Sequence, residues 1–118
     1  MINNLILSDY VTLVVTVPEK NADTIREAIG KAGGGKLGKY SFCSFSTKGI
    51  GRFVSPESGF PTSTNERIFE TIVEEKIETI CPLEFLEWVI EAIKNAHPNQ
   101  SAVIEIYPIY QNGFKFTA

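Results

Sequence analysis

Two side chains of this sequence, Cys43 and His97, could act together as soft metal ligands or as a nucleophile with its base. A thiolate and an imidazole suit zinc or copper, and Glu78 or Glu105 could add a carboxylate oxygen from neighbouring strands. Catalysis by Cys43 would need a base within hydrogen-bond reach, and His97 is the only histidine of the chain. More than fifty residues separate the two, so only the fold could bring them together.

Each of these residues also has a structural interpretation. Free cysteines are among the most buried residues, which favours Cys43 as a small hydrophobic side chain of the core. His97 continues the helical spacing of Ile90 and Ile93, so its ring is expected to face the sheet and to donate to a backbone carbonyl or a side chain. The residue types alone leave a metal site, a catalytic pair and a structural role open.

The segment Gly33–Lys39 has the spacing Gly-x-x-x-x-Gly-Lys of a phosphate-binding loop. Tyr40 stands where such a loop needs a Ser or Thr for magnesium, and the segment leads from a helix into a strand, the reverse of the required order. The pattern therefore predicts a helix stop and a tight turn. A weaker alternative is an anion-binding nest of backbone N–H groups together with Lys36 and Lys39.

The composition predicts a single domain over residues 1–118. The chain has 118 residues, of which 43% are hydrophobic, enough to fill one core. A net charge of -3 without a basic run argues against nucleic acid, and the lack of an apolar stretch of ~20 residues argues against a membrane span. Met1–Ser8 lacks a positive leader region, which predicts a cytoplasmic protein with free thiols at Cys43 and Cys81.

The first half of the chain reads as strand, helix, strand. Residues Tyr10–Val17 alternate as in a half-buried strand, and a helix capped by Asn21 or Asp23 follows and ends at the glycines from Gly33. Tyr40–Thr47 is predicted as the second strand. A turn or bulge at Lys48–Gly51, the start of a return strand at Arg52–Val54 and a long polar loop at Ser55–Arg67 are predicted after it.

The second half reads as strand, helix, strand, although Ile68–Cys81 also fits a helical stripe. Its β-branched residues favour a strand, at least in its second part, and its acidic residues Glu74, Glu75 and Glu78 are interpreted as a solvated strand face. A helix is predicted from Pro82 to His97-Pro98, and a final strand over Ala102–Tyr107. Asn112-Gly113 has the composition of a hairpin turn, so the tail could add an edge or swapped strand.

The order strand, helix, strand, strand, helix, strand predicts a ferredoxin-like α+β sandwich. Its antiparallel sheet would carry both helices on one face and leave the other face open. Val14 and several aromatic side chains belong to that open face, and self-association is the simplest way to cover it.

Three motifs give the chain a resemblance to a known family: Gly-x-x-Gly-x-Tyr-x-x-Cys-Ser-Phe at Gly35–Phe45, Gly-x-Gly-x-Phe at Gly49–Phe53, and His97-Pro98. They resemble the YqfO-like domain, which occurs alone and as an insertion in the dinuclear-metal-centre hexameric proteins. Its fold is similar to that of the PII signal-transduction and CutA proteins. The resemblance runs from about Tyr10 to Tyr107, leaves 108–118 as an extension, and implies a strand over Glu70–Cys81.

Two departures limit what the resemblance implies. Asn99, Gln100 and Ser101 stand where the family usually has a tyrosine and glutamates after His-Pro, and the histidine-rich motifs that hold two metals are absent. The chain alone therefore cannot build a dinuclear hydrolase centre.

The resemblance implies a PII-like or CutA-like module that binds a small molecule, an anion or a divalent metal such as zinc or copper. The module would have a regulatory or accessory role and act as a homo-oligomer, with a trimer expected, and the long loop Ser55–Arg67 would engage partners. A metal-dependent enzyme or accessory domain using Cys43 and His97, and a purely structural oligomerisation domain, remain alternatives. The ligand-binding candidates are Gly35, Lys36, Gly38, Tyr40, Cys43, Gly49, Gly51, Phe53 and His97.

Overall fold

Over the part of the chain that the structure describes, four strands and two helices follow one another in the predicted order. A computed structural model of the chain describes residues 5–55, 68–99 and 102–111. A single 3-10 turn precedes each helix. The elements are β1 (Leu7–Pro18), α1 (Ala22–Lys31), β2 (Phe45–Phe53), β3 (Glu70–Pro82), α2 (Leu86–Ala96) and β4 (Ile104–Tyr110). The strands form one antiparallel sheet in the order β2-β3-β1-β4, which confirms the ferredoxin-like α+β fold.

The core lies between one face of the sheet and the apolar stripes of both helices. Strand side chains alternate between the two faces, so every second residue of β1 points at the helices. Ile25 and Ile29 of α1 and Val89 and Ile93 of α2 cover them. The sheet contributes Val11, Leu13, Val15, Val17, Ile77 and Cys81 to this cluster.

The second strand lies later in the chain than the sequence predicts. β2 begins at Phe45 rather than Tyr40, and Lys48–Gly51 lies inside it instead of forming a turn. Arg52 and Phe53 end this strand and do not begin a new one. Left-handed backbone at Gly38 and Phe42 keeps the preceding residues out of the sheet. Two glycines are tolerated in β2 because it is an edge strand, where few side chains need to pack.

The ambiguous segment is a strand, as the family resemblance implies. β3 pairs with β1 from Tyr10↔Pro82 to Pro18↔Glu74 and with β2 along its other edge. The expected solvated face for the acidic run is wrong for Glu75, which is 8% exposed and faces the helices. A strand turns successive side chains to opposite faces, so Glu74 and Glu78 share the open face and Glu75 cannot.

The final strand lies at the sheet edge opposite β2. Pro108 pairs with Val11 there. Because β4 is an edge strand, the N–H that Pro108 lacks is not needed for pairing in the interior of the sheet. The hairpin predicted at Asn112-Gly113 and the loop predicted at Ser55–Arg67 lie outside the described residues, except for Ser55. Neither helix of the described part is long and apolar enough to cross a membrane.

Candidate functional site

The segment Gly33–Ser44, here called the glycine loop, leaves α1 and returns to the sheet at the start of β2. Its backbone turns sharply at three glycines, with φ of 107° at Gly33, 77° at Gly35 and 60° at Gly38. L side chains rarely adopt these values, so glycine is the residue the loop requires there. A side chain on Gly35 would also lie 2.5 Å from the carbonyl oxygen of Cys43.

Two hydrogen bonds fasten the glycine loop to β3, and a third closes the loop on itself. The Gly35 N–H donates to the carbonyl of Ile80 at 2.8 Å, and the Cys43 N–H donates to the carbonyl of Gly35 at 3.0 Å. The hydroxyl of Thr79 donates to the carbonyl of Cys43 at 2.7 Å. The loop therefore forms a fixed wall beside the sheet.

Within the loop, Leu37 and Tyr40 exchange two backbone hydrogen bonds of 3.0 Å across a tight turn at Gly38. Phe42 has φ of 59°, a left-handed conformation that is unfavourable for a bulky residue. Its ring lies where a side chain on Gly30 would be, so packing against α1 holds it in place. Tyr40 is exposed near the tip.

A cleft of about 370 Å³ lies between the glycine loop and the open face of the sheet. Its walls are mainly apolar, with a few polar groups. The described residues that line it are Thr12, Leu37, Cys43, Ser44, Phe45, Glu78, Thr79 and Ile80. Mainly apolar walls with a few placed polar groups are typical of small-molecule sites.

Glu78 is the one charged side chain among the described residues that line this cleft. It is half-buried, and it forms neither an ion pair nor a hydrogen bond with any residue that the structure describes. Its charge also acts on Tyr107, on the far side of the open face. The hydrogen bond from Tyr107 to Glu105 and the charge of Glu105 raise the pKa of Tyr107, and the charge of Glu78 adds to the effect.

A second depression of about 360 Å³ adjoins the cleft on the open face and shares Glu78 with it. Gly49 and Gly51 line it, together with the side chains of Glu74 and Lys76. The Glu74 carboxylate lies over Gly51, in the space that a side chain there would need. Phe53 closes β2 farther along and lines neither depression.

The lysines expected to form an anion nest do not line the cleft. Lys36 lies with its ammonium 4.8 Å from the ring centre of Phe85, in a cation–π contact on the side of the helices. Lys39 is exposed in the turn of the glycine loop. A negatively charged ligand in the cleft would meet Glu78 and none of these ammonium groups.

His97 is held by the backbone at both ring nitrogens. Its Nδ1 accepts the N–H of Asn99 at 3.0 Å, so Nε2 carries the proton and donates to the carbonyl of Thr16 at 3.1 Å. The predicted bond from His97 to a backbone carbonyl is confirmed.

The structure does not bring Cys43 and His97 together. The backbone carbonyl of Cys43 accepts a hydrogen bond from Thr79, which pairs with Leu13 of β1. His97 instead contacts the carbonyl of Thr16, three residues farther along β1. Within residues 5–55, 68–99 and 102–111, no group of three His, Cys, Asp or Glu side chains is arranged to hold a metal ion.

Several cleft residues have no motif that marks them. The alternation of β1 places Thr12 on the face away from the core, so its position beside the cleft could be predicted from the sequence. Leu37 and Ile80 line the cleft because the glycine loop folds onto β3, a contact that no local pattern encodes.

No protein-family model matches the chain. A protein of Halalkalibacterium halodurans named GTP cyclohydrolase 1 type 2 homolog is 38% identical over 101 residues, which cover 86% of this chain and 27% of that protein. Its Bacillus subtilis namesake is 35% identical over 99 residues, which cover 84% of this chain and 26% of that protein. The chain thus spans about a quarter of the length of the curated relatives it matches.

Two kinds of solved structure are similar to this one. A Bacillus cereus protein related to NIF3 superposes with a TM-score of 0.71 at 34% identity, covering 91% of this chain and 27% of that chain. CutA from Synechococcus elongatus superposes with a TM-score of 0.63 at 16% identity, covering 92% of this chain and 84% of that chain. The second likeness establishes a CutA-like fold.

Proposed function

We propose that the chain is a YqfO-like regulatory or accessory module that binds a small ligand in the cleft and acts as a homo-oligomer. The observation that carries this proposal is the cleft itself, which has a fixed wall, an apolar lining and a Glu78 that pairs with no described residue. Pockets of this size with few polar groups are the usual place for a small molecule. The relatives named GTP cyclohydrolase 1 type 2 homolog are far longer, so a role as one module of a larger system fits their architecture.

Self-association is supported by the apolar surface on and beside the open face. Phe45 is 69% exposed there, and Phe53 and Tyr107 are also exposed. Several large apolar side chains exposed on one sheet face are typical of an interaction site. Glu74 and Lys76 alternate on the same face of β3, so a second copy can oppose each charge with its opposite.

The far end of the β2–β3 pair supports the same proposal. β1 ends opposite Glu74, so among the described strands Glu70–Val73 pair with β2 alone and form a two-stranded ribbon with it. Isolated two-stranded ribbons are marginally stable in water. Ile50 is 67% exposed on this ribbon, and its partner Val73 is exposed as well. Contact with a second copy would bury both, and the expected assembly is a trimer.

The test combines light scattering with a thermal-shift screen over metals, nucleotides, small anions and organic amines. We expect an oligomer whose melting temperature rises with one class of compound. A monomer that no class stabilises contradicts the proposal. An oligomer that no class of compound stabilises contradicts ligand binding. It would leave the purely structural oligomerisation domain as the function.

Metal analysis of the purified protein at neutral pH separates the proposal from the metal-dependent alternative. Stoichiometric zinc or copper that is lost in both Cys43→Ser and His97→Ala favours that alternative. Loss in Cys43→Ser alone would indicate a metal in the cleft without His97, because the two residues contact different parts of the sheet.

A further inference from the structure

We infer that the cleft selects organic amines, that is, ligands with a positive charge on an apolar body, and that Glu78 is their counter-ion. The inference rests on the proposed function, because it takes the cleft as the binding site. It adds the chemical class of the ligand, which neither the similar proteins nor the motifs supply.

The one charged side chain among the described residues of the cleft lining is an acid. Glu78 is half-buried, it is unpaired among the described residues, and no cationic side chain of those residues lines the cleft. A partly desolvated carboxylate without a partner is unfavourable, and an ammonium group within hydrogen-bond distance relieves that cost. The electrostatic complement of the cleft is therefore a cation.

The rest of the cleft lining is apolar or carries hydroxyl groups. Leu37, Phe45 and Ile80 provide apolar walls that suit a hydrocarbon or aromatic group. An ammonium group has three N–H donors, of which Glu78 can accept one. The hydroxyls of Thr12 and Ser44 are acceptors in the same cleft. A bare metal ion would leave the apolar walls unused.

The positions of the lysines argue against a negatively charged ligand in the cleft. Lys36 lies over the Phe85 ring, and Lys76 lines the neighbouring depression rather than the cleft. An anion in the cleft would face the Glu78 carboxylate, whereas the nearby Lys48 and Lys76 line the neighbouring depression, which shares Glu78 with the cleft. The hydrogen bonds of Gly35 and Thr79 keep the wall in place, so its lining does not depend on a rearrangement.

The experiment is an NMR titration of the full chain with benzylamine, benzyl alcohol and benzoate at neutral pH and low salt. These probes share one ring and differ in charge. We expect benzylamine to bind at least about tenfold more tightly than benzyl alcohol, because a charge-assisted hydrogen bond is added, and benzoate not to bind. Amide shifts should move at Thr12, Ser44 and Ile80.

Two variants locate the effect. Glu78→Gln keeps the shape of the side chain and removes its charge, so benzylamine affinity should fall at least about tenfold, to that of benzyl alcohol. Glu91→Gln is the matched control, an exposed acidic residue of α2 outside the cleft, and it should leave the affinity unchanged. Light scattering on each variant reports the assembly.

Three results would overturn the inference. The first is equal benzylamine affinity in Glu78→Gln and the unmodified chain, and the second is preferred binding of benzoate. The third is a Glu78→Gln variant that loses assembly while benzylamine shows no preference over benzyl alcohol, which would assign Glu78 to the interface. Stabilisation by a different compound class in the thermal-shift screen would overturn the inference and leave the proposed function standing.

Discussion

Gly35 fixes the position of the cleft wall through its backbone. Its N–H and carbonyl link Ile80 of β3 to Cys43, and both bonds form while its backbone has a left-handed φ of 77°. Cys81, the neighbour of Ile80, illustrates a second residue-level effect. It is fully buried, and desolvation raises the pKa of its thiol from 9.0 to about 11. Single residues here act through backbone geometry and burial.

Gly35→Ala should destabilise the fold by about 2 kcal/mol or more, because the new side chain meets a left-handed backbone and the Cys43 carbonyl. Urea unfolding at one protein concentration measures this loss. Gly49→Ala is the matched control, since a side chain there has no heavy atom within 4 Å. Its free energy of unfolding should stay the same or rise by up to about 1 kcal/mol. Equal losses in both variants would contradict the assigned role of Gly35.

Cys81 should make the fold less stable at alkaline pH. Below pH 9 its thiol is protonated in both the folded and the unfolded chain, and between pH 9 and 11 only the unfolded chain loses that proton. Unfolding is therefore favoured as the pH rises through this window. Unfolding measured across it should show a shallower loss of stability in Cys81→Ala than in the unmodified chain, whereas a similar change in Cys43→Ala would contradict the assignment to Cys81.

At the scale of elements, Arg26 joins α1 to the two strands beneath it. Its guanidinium donates to Glu75 of β3 at 2.7 Å, to Ser46 of β2 at 3.0 Å and to Asp23 at 2.6 Å. The hydrogen bonds to Asp23 and Glu75 raise the pKa of Arg26. Because the Glu75 side chain is only 10% exposed, its carboxylate depends on this contact. The pair explains why an acid is tolerated on the core face.

Arg26→Met should cost about 2 kcal/mol of folding free energy, because it retains the apolar stem but leaves the Glu75 carboxylate buried without its partner. Asp23→Asn, in which the lost partner is 98% exposed, should cost less than about 0.5 kcal/mol. Chemical denaturation of both variants measures the difference. The double variant Arg26→Met with Glu75→Gln should recover part of the loss, and a further loss would argue against the pair.

At the scale of the molecule, the β2–β3 ribbon extends beyond β1 and exposes apolar side chains on both of its faces. Ile50 and Val73 lie opposite each other on the face that continues the helix side of the sheet. Phe53 lies on the other face. Next to it in the chain, the guanidinium of Arg52 stacks 3.7 Å from the ring centre of Phe69. Such a ribbon is expected to be stabilised by a neighbouring copy.

The double variant Ile50→Thr with Val73→Thr should therefore shift the assembly towards monomer, because it removes apolar area while retaining β-branched residues. Light scattering across a dilution series measures the shift. Trp88→Gln is the control, since Trp88 is 65% exposed on α2, away from the sheet. A ribbon variant that keeps its mass at every dilution, or a Trp88 variant that dissociates, would contradict this interface.

The fold class and both helices were predictable from the sequence because their signals are local. Alternation in β1 and the apolar stripes of the helices encode which side chains face the core. The start of β2 was not, since Tyr40–Ser44 has a strand-like composition, and only the left-handed Phe42 and the loop contacts remove it from the sheet. The acidic composition of Glu74, Glu75 and Glu78 does not reveal the burial of Glu75, because only strand alternation separates it from the other two.

The sequence by itself determined the order of the elements, the open face of the sheet and the turn-forming role of the glycines. The tertiary structure decided which residues share a site. It separates Cys43 from His97 and places Cys43 in one cleft with Glu78 and Leu37. The physical reason is that strand register and loop docking depend on contacts between distant segments, and a shift of one residue in register would turn Glu78 to the other face.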